Sequence, residues 1–113
     1  MKKIIASLFC TMLAGSAFAA GSIDTGKALS EKYSCAACHG ADMNSPIDPS
    51  YPKLAGQHKD YLEHALVTYK RGDTGYGRNN AIMGGIVKPL SRQDISDLAA
   101  YLHSLPSTLV VHR

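Results

Sequence analysis

Two cysteines three positions apart, with a histidine directly after the second, constrain this chain more than any other feature: Cys35-Ala36-Ala37-Cys38-His39. The pattern C-x-x-C-H is the attachment signature of a c-type haem. Each residue type has a chemical reason to be there. Two sulfurs at that spacing can reach one edge of a flat macrocycle and bond to its vinyl carbons. The adjacent histidine then lies under the iron, where an imidazole nitrogen serves as proximal ligand. Other uses of these residues fit less well. A structural zinc site takes four ligands, and no second C-x-x-C or H-x-H cluster supplies the rest. A thioredoxin-type redox pair wants a βαβ setting, and no strand pattern lies nearby. A structural disulfide between Cys35 and Cys38 leaves His39 without a role.

The chain has 113 residues, enough for one domain. Lys2 and Lys3 precede an apolar run from Ile4 to about Ala14, and small residues follow up to Ala17-Phe18-Ala19. This order reads as a secretory signal peptide over residues 1–19, cleaved after about Ala19, with a mature domain over residues 20–113. The apolar run is too short to span a bilayer, so no stable membrane anchor is expected. Cys10 goes with the leader; Phe9 before it is not the small residue that a lipid-modified cysteine wants. Export points to the periplasm, an oxidising compartment, which agrees with the haem motif.

Both phenylalanines lie in the leader, so the mature domain has no Phe and no Trp, and its aromatics are six tyrosines. Leu, Ile and Val make up about a fifth of it, close to the level at which a chain struggles to bury a core. A large apolar cofactor resolves the difficulty by becoming part of that core. With Lys2 and Lys3 removed, the formal charge of +3 falls close to zero, which excludes a basic nucleic-acid-binding surface.

The periodicity after the leader is helical. Asp24 is read as the N-cap of a first helix whose Ala28, Leu29 and Tyr33 share a face and which runs into Cys35. The stretch from Asp42 to Pro52, with its three prolines, reads as loop. Tyr61, Leu62, Ala65, Leu66 and Tyr69 recur at one-turn spacing from about Gln57, and Gly72 ends that helix. Gly72 to Asn80 is a glycine-rich surface loop without a phosphate-binding pattern. Ser91 and Asp94 have capping-box spacing, Ile95, Leu98, Ala99 and Leu102 follow at helical intervals, and Pro106 closes the last helix. Leu109-Val110-Val111 forms a short tail that docks or frays.

The occupant of the sixth iron position decides what a haem can do. Electron transfer wants two protein ligands, whereas gas binding or catalysis wants the position open. Met43 lies only a few residues past Cys38, too close to pass round the ring edge. Met83 lies far enough along to reach the opposite face, and Gly84 and Gly85 beside it permit close backbone approach. Met83 is therefore the expected ligand, against the alternative of an ordinary core methionine. His58, His64, His103 and His112 are the imidazole alternatives, and their polar surroundings read as solvated.

These segments resemble the class I c-type cytochromes, nearest to the cytochrome c4 and cytochrome c-553 type; cytochrome c4 proper carries two such domains, and the one C-x-x-C-H here implies a single-haem version. The resemblance rests on Cys35 to Gly40, Tyr51-Pro52-Lys53-Leu54-Ala55-Gly56-Gln57, Tyr61-Leu62, Met83, and Leu90-Ser91 through Asp94-Ile95 to Leu98-Ala99-Ala100-Tyr101-Leu102. It implies an all-α fold of three to five helices wrapped around one covalent haem c, with first and last helices crossing beside it. It implies His39 and Met83 as axial ligands, the Pro52 carbonyl as acceptor for the His39 ring, Leu54 against the haem, and Arg78 as partner of a propionate. Glu31 stands where the family often has an aromatic, and Tyr33 is the substitute. The implied activity is single-electron transfer between a redox-protein donor and acceptor, by a monomer forming transient complexes, not an enzyme. The alternatives are a haem subunit of a larger envelope oxidoreductase and an open-site haem sensor.

Overall fold

The computed structural model describes residues 20–108. The leader with Cys10, and the tail from Leu109 with His112, lie outside them. Among the described residues the chain is all-α, with five helices: α1 Ile23–Lys32, α2 Ala36–His39, α3 Lys59–Arg71, α4 Ala81–Val87 and α5 Arg92–Ser104. No helix among these residues is long and apolar enough to cross a membrane.

The first helix starts earlier than its sequence suggests. Ser22, not Asp24, is the N-cap: its backbone is extended and its hydroxyl accepts from the Thr25 N–H at 3.3 Å. Asp24 lies inside the first turn, where a carboxylate is favoured by the helix dipole. A second carboxylate completes this end. Asp97, on α5 and only 4 % exposed, accepts from the Ser22 N–H at 2.7 Å and from Gln93 Nε2 at 2.9 Å.

The crossing of α1 on α5 depends on a missing side chain. A Cβ at Gly26 would lie far inside contact distance of the Asp97 carbonyl oxygen and the Tyr101 Cβ. Glycine thus lets the two backbones meet, and the job of packing this crossing does not fall to an aromatic at position 31, where Glu31 is exposed. Gly26→Ala is expected to destabilise the protein although alanine is the better helix former. The propensity gain is about 1 kcal/mol, and overpacking costs about 1–3 kcal/mol when the neighbour is backbone that cannot move aside. Thermal unfolding of the haem-loaded protein checks this; an unchanged or raised midpoint would mean the crossing is looser than drawn.

The third helix begins at Lys59 after His58, slightly later than the Gln57 start read from the pattern, and ends at Gly72 with φ 58°. Its buried positions are Leu62 and Thr68, while Tyr61 is half exposed. Thr68 satisfies its hydroxyl on the Ala65 carbonyl at 2.8 Å. Helix α4 has no counterpart in the periodicity, because Gly84 and Gly85 sit in its interior. No protein group crowds either glycine. The helix forms because Asn80 caps it, accepting from the Met83 N–H at 2.9 Å, a contact worth about 1 kcal/mol. Helix α5 carries the full capping box: Ser91 Oγ accepts from the Asp94 N–H at 3.0 Å, and Asp94 Oδ2 accepts from the Ser91 N–H at 2.8 Å.

The long loop between α2 and α3 is folded tightly. Gly40 turns the chain with φ 91°, and Met43 follows in the left-handed region at φ 56°. The Met43 carbonyl accepts from the N–H groups of Leu54 and Ala55 at 2.8 and 3.0 Å, and its side chain is buried with Ala55, Leu62, Ala99 and Leu102. A second cluster gathers Val87, Leu90, Ile95 and Leu98, with Leu29, Tyr33, Leu66, Tyr69 and Met83 packed on it. Helix α5 feeds both clusters, and the hollow between them is where the chemistry-bearing residues meet.

Candidate haem site

Helix α2 is a single turn built on the C-x-x-C-H stretch itself. Ser34, at φ 53°, breaks the path of α1, and the Cys35 N–H then returns to the Ser30 carbonyl at 3.1 Å. The turn closes through the His39 N–H on the Cys35 carbonyl at 3.0 Å. This puts Cys35, Cys38 and His39 on the wall of one pocket. Both cysteines are free and half-buried. Burial pushes the Cys35 thiol above its ordinary value, with a hydrogen bond from Ser30 acting the other way.

His39 is 6 % exposed, and its Nδ1 lies 2.8 Å from the Pro52 carbonyl oxygen. A carbonyl can only accept, so Nδ1 carries the proton and the neutral ring keeps its lone pair on Nε2. A partner of this kind fixes the ring and raises its basicity as a ligand. The rest of the pocket is mostly apolar, lined by Leu54, Leu66, Tyr69, Ile86, Leu98 and Leu102 among others, with Ser34, Ser50 and Asn80 also in its wall.

Met83, placed by α4, lines the same pocket. Met43 does not; it belongs to the core on the other side. Nor do the described histidine alternatives. His58 caps α3, and His64 opens onto a separate groove between α3 and α5. The exposed His103 has its Nδ1 2.8 Å from the Gln57 carbonyl. Leu54 and Tyr33 line the pocket, and Pro52 reaches it as well as holding His39. Arg78 is not in the lining; its guanidinium lies over the rings of Tyr61 and Tyr69. Among the described residues no three His, Cys, Asp or Glu side chains cluster as a metal-ion site.

The residues present fit a haem. Two thiols stand at one edge, an imidazole offers a lone pair, a soft thioether lines the same hollow, and the remaining walls are mostly apolar. Sequence reasoning missed Tyr69, Leu98 and Leu102 as pocket residues. Their helical periodicity marked them as inward-facing, but periodicity does not say whether the inside holds side chains or a cofactor.

Over residues 23–106 the sequence matches the cytochrome c family. The chain belongs to that family. Cytochrome c4 of Stutzerimonas stutzeri is 44% identical over 110 residues, which cover 92% of this chain and 51% of that protein. Cytochrome c-554(548) of Halomonas halodenitrificans is 43% identical over 70 residues, 62% of this chain and 82% of that protein. The crystal structure of reduced recombinant cytochrome c4 from Pseudomonas stutzeri has a TM-score of 0.69 at 39% identity, over 80% of this chain and 48% of that one. The chain thus spans about half the length of the cytochrome c4 relatives it matches. It is a class I c-type cytochrome of the c4 group, a family whose members carry covalently bound haem c.

Proposed function

We propose that this cytochrome c is an exported, single-haem electron shuttle. It takes an electron from one redox protein and gives it to another through transient complexes, as a carrier and not an enzyme. Cys35 and Cys38 hold the haem, and His39 and Met83 are its axial ligands. The observation that carries this reading is the meeting of those four side chains in one apolar pocket, with His39 held by Pro52 so that Nε2 is bare. The bound haem supplies a one-electron couple. The protein does the rest: it fixes the imidazole, offers a thioether that favours the ferrous state, and keeps water from the ring with Leu54, Leu98 and Leu102. The periplasm is the proposed compartment, supported by the basic, apolar and small-residue order of residues 1–19.

A ferric-state absorption spectrum with a redox titration of the purified protein tests this. The methionine–iron feature is expected, together with slow carbon monoxide binding to the reduced protein. Loss of that feature, or fast binding, would favour an open-site sensor. A protein that purifies only within a larger oxidoreductase would favour the subunit reading over the free carrier.

A further inference from the structure

Arg78 lies beside the pocket without lining it. Its backbone N–H donates to the Thr68 carbonyl at 2.9 Å, tying the chain just before α4 to the last turn of α3. Its guanidinium stands over two rings at once, 5.3 Å from the Tyr69 centroid and 5.9 Å from that of Tyr61. Tyr61 and Tyr69 are about two turns apart on α3, so their side chains share a face. Arginine, with several N–H donors on a flat cation, can reach two tyrosine rings and their hydroxyls at once, which lysine cannot do as well. A hydrogen bond to the Tyr61 side chain pushes the pKa of Arg78 further up, burial opposes it, and a hydrogen bond to Tyr69 adds to the rise.

The two rings face different surroundings. Tyr61 is 50% exposed. Tyr69 lines the pocket together with Met83 and packs on the Val87, Leu90, Ile95 and Leu98 cluster. A free surface arginine would swing into solvent, where water screens it. Held on Tyr69, its charge is kept one ring away from the pocket, next to low-dielectric side chains.

We propose that Arg78 is a positioning residue of the haem pocket: clamped between Tyr61 and Tyr69, it holds Tyr69 in the pocket wall and keeps a fixed positive charge beside the haem, favouring the ferrous state. The inference rests on the haem occupying this pocket. The oxidised site carries one more positive charge than the reduced site, so a nearby fixed cation raises the energy of the oxidised form. The tyrosine contacts stand beside the propionate pairing that the family resemblance implies and do not depend on it.

The test is a redox titration of the full haem-loaded chain at low salt, for wild type, Arg78→Gln, Arg78→Lys, Tyr61→Leu and the Arg78→Gln/Tyr61→Leu pair. Arg78→Gln is expected to shift the oxidised-to-reduced ratio at fixed potential about threefold toward oxidised, for a charge acting across a partly apolar gap. That corresponds to about 28 mV at the roughly 59 mV per tenfold of a one-electron couple. Tyr61→Leu is expected to give part of the same shift by releasing the cation to solvent, and the double variant no more than Arg78→Gln alone. Arg78→Lys restores part of the potential, and the differences shrink as salt is added. A potential unmoved by Arg78→Gln overturns the proposal. So do additive effects of Arg78→Gln and Tyr61→Leu, which would leave the cation acting without the clamp. If Arg78→Gln fails to accumulate, Tyr61→Leu decides alone, since Tyr61 is a surface residue; no shift there overturns it. The methionine–iron feature is read in every sample. Its absence from wild type sinks the Met83 reading, whereas its persistence without a shift sinks only the role of Arg78.

Discussion

Cys35→Ser together with Cys38→Ser is expected to leave no haem that survives denaturing electrophoresis. The two sulfurs are joined by a single helical turn, the Cys38 N–H reaching back to the Cys35 carbonyl at 3.3 Å, so both stand at one edge of the pocket. Serine keeps the size and the turn, but its hydroxyl does not add to a vinyl carbon as a thiol does. His39 and the apolar walls can still bind a haem, yet only reversibly, and detergent removes it. Each single serine variant keeps one sulfur and is expected to stain more weakly than wild type but not to lose the stain. The double variant is also expected to fold poorly. Without the haem the pocket walls lose their contacts with the ring, although Leu98 and Leu102 keep their partners in the two side-chain clusters. For a domain whose whole stability is about 5–15 kcal/mol that loss is large. Haem staining after denaturing electrophoresis, beside circular dichroism of the soluble fraction, reads both effects. Persistent stain in the double variant would sink covalent attachment at these positions.

The parts of this molecule legible in its sequence are those governed by neighbours along the chain. The Ser91–Asp94 capping box is a local exchange of two hydrogen bonds, and the structure holds both. Gly72 ends α3 because a left-handed residue is needed there, a property of the backbone alone. What the sequence hid is set by contacts between distant segments. Gly26 looks like a weak point in a helix until Asp97 is found against it. Asp97 looks like a solvated acid on the polar face of α5 until the N-terminus of α1 arrives to use it. Met43 looked like the wrong methionine for the iron on chain length alone, but nothing local showed that it would anchor a core in a left-handed conformation. Helix α4 was obscured by two glycines, which lower propensity, while the Asn80 cap that supports it is one residue in an otherwise loop-like run. The tyrosine partners of Arg78 belong to another helix and carry no mark in its own segment.

Met83→Ala is expected to lower the reduction potential by about 120 mV, a hundredfold change in the oxidised-to-reduced ratio at roughly 59 mV per tenfold. This is a modest part of the span of about 0.8 V over which axial ligands set haem potentials. The thioether is a soft ligand that favours the ferrous state, and alanine offers nothing in its place. The substitution is suited to the question because it disturbs little else. Met83 is only half-buried, alanine is as good a helix former as methionine, and the Asn80 cap acts on the backbone N–H of residue 83, which the variant keeps. The fall in potential is therefore expected with α4 in place. It should be accompanied by loss of the methionine–iron absorption feature and by fast carbon monoxide binding to the reduced protein. Met83→His supplies the control: a second imidazole also lowers the potential but keeps the position closed, so the fast binding should disappear. If Met83→Ala left potential and spectrum as they are, the sixth ligand would have to come from elsewhere. Of the described alternatives, His58, His64 and His103 all lie off the pocket and Met43 is locked in the core. Recruiting any of them would require α3, α5 or the loop after α2 to rebuild, so that result would overturn the arrangement of the pocket as well as the identity of one ligand.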